Sequence, residues 1–445
     1  MLDWLLRLLF GVTDGSGSSG SGSRSRRRRR EKVRLTRWRG YLARSAYRKG
    51  RDKARWVKTR PYRFAVATVD TRLFVRHPGT GETVGDPSRR DLIFHDRSGD
   101  GDTARLARFG LPAVSTPDEL ADLLGVGLGR LAWLTHRTDP KFRPVSAAES
   151  HYTYRFVPKK SGGLRLIEAP KPLLKSVQRT LLAEMLDRVP PHPAAHGFRY
   201  GRSIVTNAEP HVGAEVVVSL DIANFYPSVR QRRVNAIFRS VGYPGEVAIW
   251  LTRLATSVVP PDVVLPEGRG ASVVRGYWNL GRHLPQGAPT SPAIANLACY
   301  GLDVRLAGLA RSFGGTYTRY ADDLTFSGDH HFLRSLKAFI PLAQEVIRHE
   351  GFVVQAAKRR VQRQGGRLAV TGVVVNEKVN VCRADYDRLK AILHNCVRHG
   401  PASQNRGGID DFAAHLRGRV AHVARLNRQK GEKLLREFRK IDWTR

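Results

Sequence analysis

The stretch that most constrains this chain runs from Thr316 to Ser327 and carries Tyr320-Ala321-Asp322-Asp323 at its centre. On both sides of the acids, aromatic or aliphatic residues alternate with polar ones, and Tyr, Thr and Phe dominate. That is the pattern of two strands, and Asp322 and Asp323 interrupt it as the turn of a hairpin does. Adjacent carboxylates repel each other unless a cation lies between them. Mg²⁺ suits the position, because it takes a few carboxylates together with substrate phosphates. A solvated turn is the other reading of a lone Asp-Asp pair. Val216-Val217-Val218-Ser219-Leu220-Asp221 weighs against it, as a short apolar strand ending in a third acid. Strand-end carboxylates from neighbouring strands converge, and two ions about 4 Å apart activate a hydroxyl nucleophile and stabilise a leaving oxygen.

The charge balance says what such a centre acts on. The chain has 445 residues, room for two or three domains, with 76 Lys+Arg against 39 Asp+Glu and a net charge of +37. That excess selects a polyanionic partner, nucleic acid before anionic membrane. Cys299, Cys382 and Cys396 are too few and too scattered for a disulfide framework or a zinc site, so a reducing cytoplasm is expected. No apolar run approaches the roughly 20 residues of a membrane span.

Residues 1–10 are apolar but short, and residues 11–23 form a Gly/Ser-rich linker. Residues 24–60 hold eighteen Lys and Arg against two acids, with Trp38, Tyr41, Tyr47 and Trp56 interleaved. Two readings stand for this arm: a solvated tail, or a grip on phosphates and unpaired bases. Residues 1–60 are taken as a flexible basic extension. Residues 61–114 are a small accessory segment with possible strands at 64–69 and 73–75 and no functional reading.

From Ser115 the texture changes. Thr116-Pro117-Asp118-Glu119 predicts a capped helix start. Residues 151–168 predict a hairpin whose tip, Lys159-Lys160-Ser161-Gly162-Gly163, is basic and glycine-containing. With Arg165 it forms a cationic cover suited to a triphosphate; an exposed turn is the plainer reading. Pro170 to Arg188 reads as a helix. A basic loop, 195–204, leads through Asn207-Ala208-Glu209-Pro210-His211 to the strand ending in Asp221.

Tyr226 lies five residues past Asp221. A bulky ring there would sit under the sugar of an incoming nucleotide and exclude a 2′-hydroxyl; a core aromatic is the alternative. Leu284-Pro285-Gln286-Gly287-Ala288-Pro289-Thr290-Ser291-Pro292 is turn-rich and then helical, with Ser291 expected as the cap. Gly287 allows backbone to approach a base or sugar closely. Lys358 is expected to reach a phosphate or protonate pyrophosphate; a solvated lysine at a strand end is the plainer reading. Val370 to Asn376 reads as a strand, and 384–445 as basic helices with a loop near 400–408.

With these residues in view, the chain resembles reverse transcriptases, and among them the bacterial retron enzymes, over roughly residues 115–445. The resemblance rests on Ser219-Leu220-Asp221 through Tyr226-Pro227-Ser228, on Pro285-Gln286-Gly287-Ala288-Pro289-Thr290-Ser291-Pro292, and on Tyr320-Ala321-Asp322-Asp323. Asn207-Ala208-Glu209-Pro210-His211 is similar to the Asn-Ala-x-x-His element of retron enzymes, and Val370-Thr371-Gly372 to their Val-Thr-Gly element. The resemblance implies an α+β right hand: fingers (about 115–215 and part of 228–280), palm (about 216–375) and helical thumb (376–445).

It makes Asp221, Asp322 and Asp323 the catalytic ligands of two Mg²⁺ ions, with Mn²⁺ as a substitute. Lys160, Arg165, Tyr226, Gln286 and Lys358 are implied as nucleotide-binding residues, and Asn207, His211 and Thr371 as RNA-binding ones. Gln355 departs from the Asn that relatives usually carry three residues before the lysine. The implied partners are dNTPs, a structured noncoding RNA and the DNA copied from it. Copying starts from the 2′-hydroxyl of a guanosine, and many such systems act in antiphage defence with an effector protein. An intron-type reverse transcriptase is the nearest alternative, although no appended endonuclease domain is visible. A protein that only binds RNA is the alternative outside enzymes.

Overall fold

The computed structural model describes residues 100–135, 144, 146–159, 164–263 and 281–444. The basic arm, the possible strands at 64–69 and 73–75, and Lys160 lie outside the described residues. The chain divides into two compact units. One contains Tyr226–Ala298 with the described residues up to Pro190, and the other Pro191–Phe225 with Cys299–Arg445.

In the first unit, β1 (Tyr152–Pro158) and β2 (Leu164–Pro170) form the antiparallel hairpin that the alternation predicts. The helix Pro117–Leu123 starts on a full capping box: Thr116 accepts from the Glu119 amide and Glu119 answers to the Thr116 amide. The helix Pro172–Glu184 buries Leu174, Val177 and Leu181. Its fully buried Gln178 donates to the Tyr152 hydroxyl at 2.9 Å and to the Leu254 carbonyl at 2.7 Å. Ser291 opens the helix Ser291–Ala298 but does not cap it, because its hydroxyl donates to the Pro285 carbonyl at 2.7 Å.

The second unit is built on a four-stranded antiparallel sheet in the order β4-β5-β3-β6. Its strands are β3 (Val216–Asp221), β4 (Thr316–Tyr320), β5 (Asp323–Gly328) and β6 (Arg360–Arg363). The valines of β3 are all buried, so this strand is covered on both faces. The helix His330–His349 packs Phe332 and Phe339 with Phe326 of β5, ring centroids 5.0 Å (Phe326–Phe339) and 4.8 Å (Phe332–Phe339) apart.

Val217 joins a second core that includes Ala208, Val370 and Val373 and residues from the helices Arg383–His399, Phe412–Leu426 and Arg428–Phe438. The C-terminal helices, expected as a separate domain, therefore share a core with the sheet. The stretch 370–376, expected as one strand, is a tight hairpin of β7 (Ala369–Val370) and β8 (Val373–Val374). Thr371 and Gly372 turn it, at φ +47° and +84°. Glycine adopts that backbone readily, whereas a β-branched threonine seldom does. No single helix among the described residues is long and apolar enough to cross a membrane.

His211 fastens the sheet. Fully buried, it lies 2.6 Å through Nδ1 from the Ser327 hydroxyl on β5 and 2.7 Å through Nε2 from the Thr318 hydroxyl on β4. Burial, helped by His196, lowers its pKa to about 4. The folded chain therefore holds the neutral ring, while the unfolded chain takes up a proton below about 6.5. This contribution to stability is complete above that pH and is lost as pH falls toward 4. Chemical denaturation at stepped pH should show that decline, and His211→Gln should make it shallower. An identical profile in the variant would remove His211 from this role.

Candidate active site

The acids meet through strand register. Asp221, the last residue of β3, is the direct partner of Asp323, the first residue of β5. Directly opposed residues of an antiparallel pair project to the same face, so two carboxylates from distant parts of the chain share one end of the sheet. Asp322 stands in the turn before Asp323, and its carbonyl accepts from the Ile222 amide at 2.9 Å. The acids are thus not both in the turn, since Asp323 already belongs to the strand.

The turn is held from beneath by a buried ion pair that local sequence does not announce. Arg319 and Asp303 are both fully buried. Arg319 donates through Nε at 2.8 Å and Nη2 at 2.7 Å to the two oxygens of Asp303, which also accepts from the Tyr317 hydroxyl at 2.8 Å. The remaining arm of the guanidinium, Nη1, donates to the Ala321 carbonyl at 3.1 Å. Ala321 sits at φ +55°, a conformation that an alanine holds only when its surroundings impose it. Burial alone would lower the Arg319 pKa, but the Asp303 charge and its hydrogen bonds outweigh it and raise it.

A groove of about 400 Å³ opens at the carboxylates, lined by Asp221, Asp323, Lys358, Arg360, Arg367 and Thr371 among others. Lys358 donates to Asp221 Oδ2 at 2.8 Å. It stands at the end of a short 3₁₀ turn, Ala356–Lys358, rather than at the end of a strand. Burial, then the charges of Asp322 and Asp221, push the Asp323 carboxyl up to about 6, against the opposing pull of Arg360 and Lys358. An all-oxygen donor set that raises its own pKa in this way fits a hard divalent cation. Among the described residues no group of three His, Cys, Asp or Glu is gathered closely enough to cage an ion. Two carboxylates paired at one end of the sheet match the one or two that an ion shared with substrate phosphates takes from the protein.

The other expected residues divide. Tyr226 lies in a second groove, within the first unit, with Gly287, Ala288 and Pro289. Lys175 and Arg179 line that groove as well. Neither was singled out in the sequence, although their spacing of four places them on one face of the helix. The loop carrying Gln286 is stitched to β2: the Glu168 amide donates to the Gln286 carbonyl at 2.9 Å. Gly287, at φ +137°, approaches so closely that a Cβ would lie 2.9 Å from the Glu168 carbonyl. Beneath it, Glu168 and His283 form a fully buried pair at 2.9 Å. Burial alone would lower the His283 pKa, but Glu168 and the Gly281 carbonyl raise it.

Arg165 is exposed on β2. Thr371 lines the carboxylate groove, and its hydroxyl is buried without a hydrogen-bond partner among the described residues. Asn207 and His211 differ from the expectation of RNA contact. Both are fully buried, so neither side chain is offered to RNA. The Asn-Ala-x-x-His and Val-Thr-Gly elements instead meet inside, where Ala208, Val370 and Val373 share one core.

The Arg319–Asp303 pair yields a direct test. Asp303→Ala leaves a buried guanidinium uncompensated and should lower stability by about 3–5 kcal/mol in urea denaturation. Replacing both partners with apolar residues, Asp303→Ala with Arg319→Met, should be tolerated better. A loss within about 0.5 kcal/mol for Asp303→Ala, the range of ordinary surface substitutions, would show that the pair is not under load.

Comparison with known proteins agrees with this geometry. The family model described as "Reverse transcriptase (RNA-dependent DNA polymerase)" matches residues 157–375. The chain is 44% identical over 336 residues to the retron Mx65 reverse transcriptase of Myxococcus xanthus, covering 75% of this chain and 74% of that protein. It is 37% identical over 349 residues to the retron Mx162 reverse transcriptase of the same organism, covering 75% and 69%. To the retron Ec86 reverse transcriptase of Escherichia coli it is 29% identical over 341 residues, covering 74% and 95%. These relatives set aside the binding-only reading. The chain belongs to the retron reverse transcriptases and is an RNA-directed DNA polymerase.

Proposed function

We propose that this polymerase copies part of a cognate structured noncoding RNA into single-stranded DNA that stays joined to the RNA, by in-line nucleotidyl transfer at Asp221, Asp322 and Asp323. The observation that carries the proposal is the register pairing of Asp221 with Asp323, with Asp322 one residue away. Reverse transcriptases use divalent metal ions; here the pair is Mg²⁺, with Mn²⁺ as a substitute. Bound at these carboxylates, two such ions supply an activated primer hydroxyl and neutralise charge on the departing pyrophosphate.

The protein's own groups do the rest. Asp221 and Asp323 hold the acidic end of the groove, and the Asp322 backbone fixes the turn against Ile222. Lys358, paired with Asp221 at 2.8 Å, serves the leaving phosphate. Lys160 and Arg165 bind the triphosphate, Gln286 contacts the incoming nucleotide, and Tyr226 excludes its 2′-hydroxyl. Thr371 serves the RNA from the groove wall. In this reading the β3–β6 sheet is the palm, the β1–β2 hairpin with its helices the fingers, and the helices from Arg383 to Phe438 the thumb. The basic arm at 24–60 grips phosphates. The priming group is the 2′-hydroxyl of a guanosine, and the setting is the cytoplasm, in antiphage defence beside an effector protein.

Primer extension on an RNA template tests the centre. The variant carrying Asp322→Asn and Asp323→Asn should make no DNA while remaining folded, and near wild-type synthesis would end the proposal. Tyr226→Ala should incorporate ribonucleotides that the parent enzyme rejects. If discrimination stayed the same, the sugar would be read elsewhere.

A further inference from the structure

The loop between His196 and Ser203 is fixed at both ends and open in the middle. At one end, the His196 amide donates to the Arg319 carbonyl at 2.8 Å, and its ring lies 3.0 Å from the Thr206 hydroxyl. At the other, Ser203 caps the helix Ile204–Ala208 through a reciprocal box with Thr206. Gly197 presses on the catalytic turn so closely that a Cβ there would lie 2.8 Å from the Ala321 amide. The Phe198 ring stands 6.0 Å from the Tyr320 ring.

Between these anchors the loop presents side chains that a folded protein ordinarily covers or pairs. Phe198 is 58% exposed, and Tyr200 is fully exposed. Phe198 is also held at φ +55°, a strained conformation for an aromatic residue. Arg199 and Arg202 flank Tyr200. Among the described residues neither guanidinium has an acidic partner, and Arg199 Nη1 is buried with no hydrogen-bond partner. Burial and the neighbouring Arg202 charge both lower the Arg199 pKa, so the cationic pair repels itself. Two rings without cover and two cations without counter-charges match one partner. An unpaired nucleotide offers a π-face to the rings and phosphate oxygens to the guanidinium forks. Bases within a duplex have both faces stacked and offer neither ring a surface.

We infer that residues 198–202 form a binding surface for the unpaired template RNA beside the Asp-Asp turn, with Phe198 and Tyr200 stacking on its bases and Arg199 and Arg202 holding its phosphates. The inference rests on the polymerase reading of that turn. It adds a substrate contact distinct from the carboxylates, and it explains why an exposed loop is braced at both ends.

The test uses the full chain with a DNA primer on an RNA template that carries 5-bromouridine at the first unpaired position. After irradiation, the cross-linked peptide should contain Tyr200, and the Tyr200→Ala variant should lose the adduct. Phe198→Ala with Tyr200→Ala should weaken binding of the overhanging template about tenfold. Binding of a blunt RNA–DNA duplex should be unchanged, and Tyr200→Trp should restore the overhang preference. Arg199→Gln with Arg202→Gln should flatten the salt dependence of overhang binding by about one to two phosphate contacts.

Cross-links confined to other peptides, with the preference for an overhang intact in both double variants, would overturn the inference. Because Tyr200 is fully exposed, its alanine variant keeps the test readable if the Phe198 variant unfolds. The Asp322→Asn, Asp323→Asn protein should still cross-link at Tyr200, since binding needs no chemistry. Synthesis by that protein would strike the polymerase reading and leave the binding result standing.

Discussion

A guanidinium that water cannot reach, Arg319, has to find its acceptors inside the protein. It finds both oxygens of Asp303 and the carbonyl of Ala321. Exposed ion pairs contribute about 0–1 kcal/mol, and buried ones often add little net stability, because desolvation offsets their attraction. What a buried bidentate pair does impose is direction. It lies immediately before the Tyr320-Ala321-Asp322-Asp323 turn and fixes one carbonyl within it. That contact supports Ala321 in its left-handed conformation and so decides where β5 begins. The starting point of β5 sets the partner of Asp221 and brings the acids to one end of the sheet.

The first unit repeats the device. Glu168 and His283, again without access to water, lie under the loop that carries Gln286 and Gly287. In each unit an ion pair too deep to serve as a ligand supports the short segment that the polymerase reading assigns to substrate. A loop designed to approach phosphates cannot be stiffened by filling it with bulky residues. Fixing its base with short, charge-assisted bonds leaves its outer face open.

The retron elements make a related point about burial. Asn207 and His211 are polar residues in a distinctive spacing, which invites a reading as surface contacts. His211 instead bridges β4 and β5, and the segment around Ala208 shares a core with Val370 and Val373. Residues that mark a family are thus as able to specify its internal packing as its ligand. The exposed rings near the Asp-Asp turn are Phe198 and Tyr200, which stood in the sequence as parts of a basic loop with no role assigned to either ring.

Alternation of side-chain polarity and the position of three acids were sufficient to mark the strands around the Asp-Asp turn and the strand ending in Asp221. The capping box that opens Pro117 to Leu123 and the apolar spacing of Pro172 to Glu184 were legible for the same reason, since each depends on neighbours a few residues away. Tertiary structure alone decided that Asp323 opposes Asp221, that Arg319 reaches Asp303 sixteen residues away, and that Lys358 ends on Asp221. It also turned 370–376 from a strand into a hairpin, and the Ser291 hydroxyl from a cap into a donor to Pro285. Local pattern reports what a residue prefers. Which strand lies beside it, and which charge is sealed in with it, depends on the distant segments that exclude water from the same place.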